Sequence, residues 1–180
     1  MNNPRAIVGR AAELRRQFDR AFAEARPPEP PPSEDFLAVR LAGEAYALRL
    51  GEIAGLVAGL TISPVPGLGA PLLGLAGIRG TVTPVYDLAA MLGHPPTQRP
   101  RWLAVAADAR TSFAFGELEG CRRVPASGVV PHQDHAGPRR HISEFVRTAD
   151  FACPVVSLTS AVAAVQGLCG KLTRQEQKIC

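Results

Sequence analysis

Apolar and polar positions change their period along the chain. Over residues 4–25, Ile7, Ala11, Leu14, Phe18, Ala21 and Ala25 recur at spacings of 4, 3, 4, 3 and 4, which is one face of an α-helix. Asn3 before Pro4 supplies a cap and a proline at the first helical position. Three alanines in this seam leave little apolar surface, so the stripe can dock on the core, on a partner, or fold only on contact. Residues 26–35 (Arg-Pro-Pro-Glu-Pro-Pro-Pro-Ser-Glu-Asp) then read as an extended, semi-rigid linker.

From residue 36 the helical period gives way to short apolar runs divided by turn residues, the pattern of paired strands. Phe36–Leu41 and Ala45–Leu50 flank Ala42-Gly43-Glu44; 59–66 is a proline-bounded extended piece suited to a sheet edge. Trp102–Ala107 and Thr111–Phe115 flank Asp108-Ala109-Arg110, and Ile142–Thr148 pairs with Cys153–Leu158 ahead of a helix from Thr159 to about Gln166. Gly93–Arg101 reads as a proline-rich crossing, 117–131 as irregular, and 132–140 as a polar loop. Short strands joined by tight turns imply barrels or sandwiches.

The densest information lies in residues 74–88 (Gly-Leu-Ala-Gly-Ile-Arg-Gly-Thr-Val-Thr-Pro-Val-Tyr-Asp-Leu). Gly80 breaks the run into two strands, and Asp87 is suited to cap the Ala-rich turn after it. Arg79, the only charge between Glu52 and Asp87, falls at the hairpin tip. It can be a solvated turn residue or an interface contact, because arginine stacks and bonds bidentately. Seventy residues on, Pro154-Val155 matches Pro84-Val85, Leu158 matches Leu88, and Thr159-Ser160-Ala161-Val162 matches Ala89-Ala90-Met91-Leu92. Such a period is too long for a solenoid and suits a duplicated β module. The second copy lacks the arginine, the glycine and the aspartate.

Gly74, Ile78, Arg79, Gly80, Val82, Pro84, Val85, Asp87 and Leu88 resemble the signature of CheW-like domains, the adaptor modules of bacterial chemotaxis arrays. The resemblance spans roughly 36–167, with Tyr46-Ala47-Leu48 and Gly51–Leu56 similar to the family's second strand and first short helix. It implies a mostly β fold of two five-stranded Src-homology-3-type barrels (36–170), with short helices, an apolar groove between them, and a tail at 171–180. It also implies a non-catalytic, cytoplasmic adaptor in a two-component pathway, with two partners: a chemoreceptor's cytoplasmic tip and the regulatory domain of a CheA-type histidine kinase. Ile53 and Arg79 fall at receptor-contacting positions; Gly74, Gly80, Pro84 and Asp87 are expected to be structural; the kinase-contacting residues are unassigned. The chain departs from the family pattern at Gly55, where a glutamate is common, and at Gly77, Phe115-Gly116, Glu144 and Ser157.

Composition narrows the alternatives. The net charge of +4 is spread out, with no basic stripe interleaved with aromatics, so nucleic acid is not an expected partner. The apolar stretch 51–78 is broken by glycines, prolines and Glu52, and the arginine-bearing N-terminus has no signal-like apolar core, so neither membrane insertion nor secretion is expected. Cys121, Cys153, Cys169 and Cys180 have no C-x-x-C pairing and read as thiols of a reducing compartment. His132-x-x-His135 with Asp134, His141 and Cys121 reads as a loop and not as a metal centre. Gly67-x-Gly69 lacks the Lys-Ser/Thr of a phosphate loop, and no nucleophile elbow or acid–base pair is visible. No cofactor is expected. The alternatives are a β-barrel that binds or transforms a small molecule in its groove, and a CheW-like scaffold of a non-chemotactic kinase pathway.

Overall fold

A computed structural model describes residues 13–19, 31–59, 61–66, 70–108, 110–132 and 137–176. The chain separates into two units, Met1–Pro31 and Pro32–Cys180. In the first, residues 13–19 are helical, with Leu14 and Phe18 exposed and Arg16 bonded to Glu13 one turn away at 2.8 Å. The remainder of the expected 4–25 helix, the first half of the linker (26–30) and the Gly67–Gly69 turn lie outside the described residues.

The described residues of the second unit form eleven strands and two α-helices in chain order: β1 (Ser33–Leu41), β2 (Glu44–Arg49), β3 (Ile53–Ala58), β4 (Leu72–Ile78), β5 (Thr81–Asp87), α1 (Leu88–Met91), β6 (Trp102–Ala106), β7 (Ser112–Phe115), β8 (Glu117–Pro125), β9 (Val129–Pro131), β10 (Ile142–Arg147), β11 (Ala152–Val156) and α2 (Leu158–Glu176). They form two sheets, ordered β8-β1-β2-β11-β10-β9 and β3-β6-β7-β5-β4. The two orders are the same pattern twice. In each, a hairpin (β1–β2 or β6–β7) lies between a strand from the other half of the chain and a second hairpin (β10–β11 or β4–β5). In each, one parallel pairing joins the two hairpins: Val155↔Ala47 and Val156↔Leu48 in one sheet, Val85↔Ser112 through Asp87↔Ala114 in the other. Each sequence repeat therefore contributes its first hairpin to one barrel and its following strands to the other, and neither repeat completes a barrel alone.

This exchange explains the continuous apolar runs. Side chains alternate across a strand, and the central strands bury both faces. Phe36, Ala47, Val124, Val146, Cys153 and Val155 fill the first barrel; Ala76, Ile78, Val85, Leu103, Val105 and Ala114 fill the second. The intervening positions, among them Leu37, Val39, Leu48, Ala104, Phe113, Phe115 and Val156, meet in a shared core between the barrels, closed by Leu88 of α1 and Leu158, Ala161 and Val165 of α2. Fully burying each such Leu, Val or Phe is worth about 1.5–3 kcal/mol, so the shared core binds the barrels into one unit.

Several expectations change. The first strand begins at Ser33, inside the expected linker. Residues 53–56, which the resemblance placed in a short helix, form β3, preceded by a 3-10 turn at Leu50–Glu52. Gly51 and Gly55 disfavour a helix, and pairing with β6 gives Ile53 and Val57 an apolar surface to cover. Residues 117–131 are not irregular: β8 pairs with β1 along nearly its whole length, and β9 adds a sixth strand to one sheet, so only the other is five-stranded. The β8 pattern is mainly polar because it faces water, and its stability comes from β1, including the pairs Arg123–Asp35 at 2.8 Å and Arg40–Glu119 at 2.5 Å. The last helix runs on to Glu176, past Gly167 and Gly170 and through the first part of the expected tail.

Candidate functional site

The β4–β5 hairpin closes with a two-residue turn, Arg79-Gly80, between paired Ile78 and Thr81. Both turn residues have positive φ, 50° and 80°. Two consecutive positive φ values make a type I′ turn, whose twist matches the strands and which favours Asn-Gly. Arginine at the first position is costly: a left-handed conformation strains an L-residue with a Cβ by about 1–2 kcal/mol. The β1–β2 hairpin repeats the geometry with Ala42 and Gly43, at φ 50° and 86°.

From this turn the Arg79 side chain reaches β3. A Cβ built on Gly55 would lie 3.6 Å from one terminal nitrogen of Arg79 and 3.9 Å from its guanidinium carbon. The guanidinium thus lies over the bare backbone of Gly55. A carboxylate at this position would stand beside the arginine; glycine leaves Arg79 with no hydrogen-bond or ion-pair partner among the described residues. Around it is a shallow depression of about 120 Å³ lined by Ala54, Val57, Ile78, Thr81, Thr83 and Val105 together with Gly55 and Arg79. On the strands that carry these residues, Leu56, Leu75 and Val82 face solvent, Val82 at 68% exposure.

The other motif residues lie behind this surface. Gly74, at φ 148°, allows the 61–66 segment to approach: a Cβ there would stand 2.1 Å from the Ser63 carbonyl oxygen, where Ser63 and Leu75 exchange backbone hydrogen bonds of 2.8 and 2.9 Å. Pro84 is half-buried in β5 opposite Leu75. Asp87 is fully buried; its carboxylate accepts from the Ala90 amide at 2.9 Å, capping α1, and from the Thr97 amide at 2.7 Å, tethering the crossing loop. Ile53 is half-buried and packs on the inter-barrel core, so it does not join Arg79 in lining the depression.

Some functional connections were not visible in the chain. Glu52, in the 3-10 turn before β3, accepts from the amides of Leu158 (2.5 Å) and Thr159 (3.2 Å) and so caps α2 from more than 100 positions away; Ser157 caps the same helix locally by accepting from the Ser160 amide at 3.2 Å. Glu144, one of the departures from the pattern the chain resembles, is bonded to Arg49, which also pairs with Glu34 and covers the Phe36 ring at 5.2 Å. The only cue to this pair was the departure at Glu144 itself.

His132 packs edge-on against Phe145, and Gln133–Ala136 lie outside the described residues. His141 is buried; Arg140 donates from Nε to its Nε2 at 2.9 Å, so Nδ1–H donates to Ser160 Oγ, also at 2.9 Å. Burial, and then the Arg140 charge, hold its pKa below the ordinary imidazole value. His94 accepts or donates at 2.7 Å to the Tyr46 hydroxyl, on the wall of an open groove of about 370 Å³ with Glu44, Leu92, Ile142, Phe145 and Pro154. Among the described residues no three His, Cys, Asp or Glu side chains converge as a metal would require. The Cys153 thiol is pushed up to about 12, chiefly by burial and then by Glu119, which makes it a poor nucleophile. No described helix is long and apolar enough to cross a membrane.

The described residues thus form two small barrels joined by a shared core, with open depressions on their surface. The family model of the CheW-like domain matches residues 35–164, and the chain belongs to that family. Its fold is similar to that of the scaffolding protein TtCheW from Thermoanaerobacter tengcongensis, with a TM-score of 0.62 at 15% identity, over 69% of this chain and 89% of that one. Comparison with curated proteins gives no sequence match.

Proposed function

We propose that the chain is a non-catalytic, cytoplasmic adaptor that joins the cytoplasmic tip of a chemoreceptor to the regulatory domain of a CheA-type histidine kinase. The observation that carries this reading is Arg79, held in a strained turn position over Gly55, without a partner among the described residues, at the edge of an apolar depression. A cation displayed on a rigid hairpin next to apolar surface is the arrangement of an interface anchor. This depression is too small and open to enclose a substrate, since ligand pockets are typically about 300–1,000 Å³ and cover most of the ligand. The scaffold family and the fold shared with a scaffolding protein support the same reading.

Replacing Arg79 by glutamate tests it. The Arg79→Glu chain is expected to bind a receptor-tip fragment at least about tenfold more weakly, roughly 1.4 kcal/mol, while its affinity for the kinase regulatory domain is unchanged. Equal loss of both would mean that the change damages the fold or that Arg79 is not on the receptor side.

A further inference from the structure

A second charged surface lies away from Arg79. Arg40, Arg99 and Arg101 line one open depression of about 510 Å³, formed where the β1–β2 turn (Ala42-Gly43), the 95–101 crossing and the β7–β8 junction at Gly116-Glu117 meet. Arg40 is already committed: its Nε pairs with Glu119 at 2.5 Å, and its Nη1 donates to the Gly43 carbonyl at 2.9 Å. Arg99 and Arg101 are exposed, and their side chains have no ion-pair or hydrogen-bond partner among the described residues. Among the described residues lining the depression Glu117 is the one carboxylate, against the two uncommitted guanidiniums.

The backbone that presents them is fixed. Pro95 and Pro96 set their own φ. The buried Asp87 holds Thr97 through its amide at 2.7 Å and its hydroxyl at 3.3 Å. Arg101 donates its amide to Phe115 and accepts from Gly59, both at 3.1 Å. Arg99 therefore sits on a loop tied at both ends, and little backbone entropy is left to lose on binding. The motif aspartate, besides capping α1, organises this arginine loop.

We propose that this depression is a docking site for an acidic peptide segment of a partner protein, with Arg99 and Arg101 each pairing a carboxylate in bidentate fashion. Charge complementarity to Arg99 and Arg101 favours such an occupant, and an extended segment reaches both arginines without their having to converge on one small anion. The site does not depend on the receptor reading, and its test uses neither receptor nor kinase.

The test is a fluorescence-anisotropy titration of the full chain with labelled hexaglutamate at about 20 mM salt, where exposed charge pairs are least screened. Saturable binding is expected, absent with hexaglutamine and not displaced by millimolar inorganic phosphate. The double variant Arg99→Glu/Arg101→Glu is expected to weaken it at least about tenfold. The charge-matched double variant Arg110→Glu/Arg147→Glu, at exposed positions outside the depression, is expected to stay within about twofold. Equal loss in both double variants would reduce the effect to diffuse charge and overturn the site. Displacement by phosphate, or no saturable binding, would overturn the acidic-peptide assignment.

Discussion

Asparagine at position 79 separates what the fold needs from what a partner needs. Arg79 occupies the first position of a type I′ turn at φ 50°, where asparagine is much better tolerated. Relief of the left-handed strain is worth about 0.5–1 kcal/mol, a fraction of the full penalty. Against it stands the loss of arginine stem packing beside Gly55; covering about 20 Å² of apolar surface is worth roughly 0.5 kcal/mol. The balance is a stability change between zero and a gain of about 0.5 kcal/mol, or up to 2 °C in Tm for a domain of this size. Ala42→Asn is the internal control: the same φ and turn position, but almost no side chain to lose. It is expected to gain about 0.5–1 kcal/mol. Urea unfolding of both variants, with receptor-fragment affinity measured on the same samples, is the assay. The expected result is an Arg79→Asn chain that is no less stable and binds at least about tenfold more weakly, roughly 1.4 kcal/mol. Destabilisation by more than about 1 kcal/mol would show that the arginine serves the fold, and the reasoning would fail.

Three further outcomes follow from the geometry. Gly74→Ala places a Cβ 2.1 Å from the Ser63 carbonyl at a φ of 148° and is expected to cost upwards of about 3 kcal/mol, whereas Gly77→Ala, with nothing within 4 Å, is expected to be within about 1 kcal/mol of neutral; urea midpoints compare them. Glu52→Ala removes the distant cap of α2 and is expected to cost about 1–2 kcal/mol, with amide exchange accelerated first at Leu158 and Thr159; unchanged exchange there would contradict the cap. His141 is held neutral in the fold, its pKa lowered from 6.5 by burial and Arg140, so the unfolded chain takes up a proton first as pH falls. Its contribution is complete above about 6.5 and declines below it; His141→Gln is expected to flatten the fall in urea midpoint between pH 7 and 5.5, and an unaltered slope would exclude His141 as its source.

Local features of the chain announced the hairpins and the duplication, because those are encoded in adjacent residues. Arg79-Gly80 and Asp87 each carry their signal within four positions. Ala42-Gly43 does the same for the first hairpin. What escaped was long-range. Residues 53–56 carry two glycines, and only the apolar faces of β6 and the core make them a strand. Glu117–Pro125 shows a mainly polar exterior pattern, and its strand character comes from β1, some 80 positions earlier. The exchange of hairpins between barrels leaves no mark on periodicity, since β3 and β8 would read the same in either barrel. At the site, the motif located Arg79, but not its seat on Gly55: the missing side chain at 55 reads as a loss in sequence and acts as room in space. Ile53 took its receptor role from resemblance alone, and its packing on the shared core gives it a structural task as well.

The central claim, that this chain joins two partners without chemistry of its own, is tested most directly by calorimetric titration of the intact chain with a cognate receptor-tip fragment and, separately and then together, with the kinase regulatory domain. The account predicts saturable binding to each and a ternary complex in which neither displaces the other. No association with either at about 100 µM, a free energy weaker than roughly −5.5 kcal/mol, or mutual displacement of the two, would contradict it.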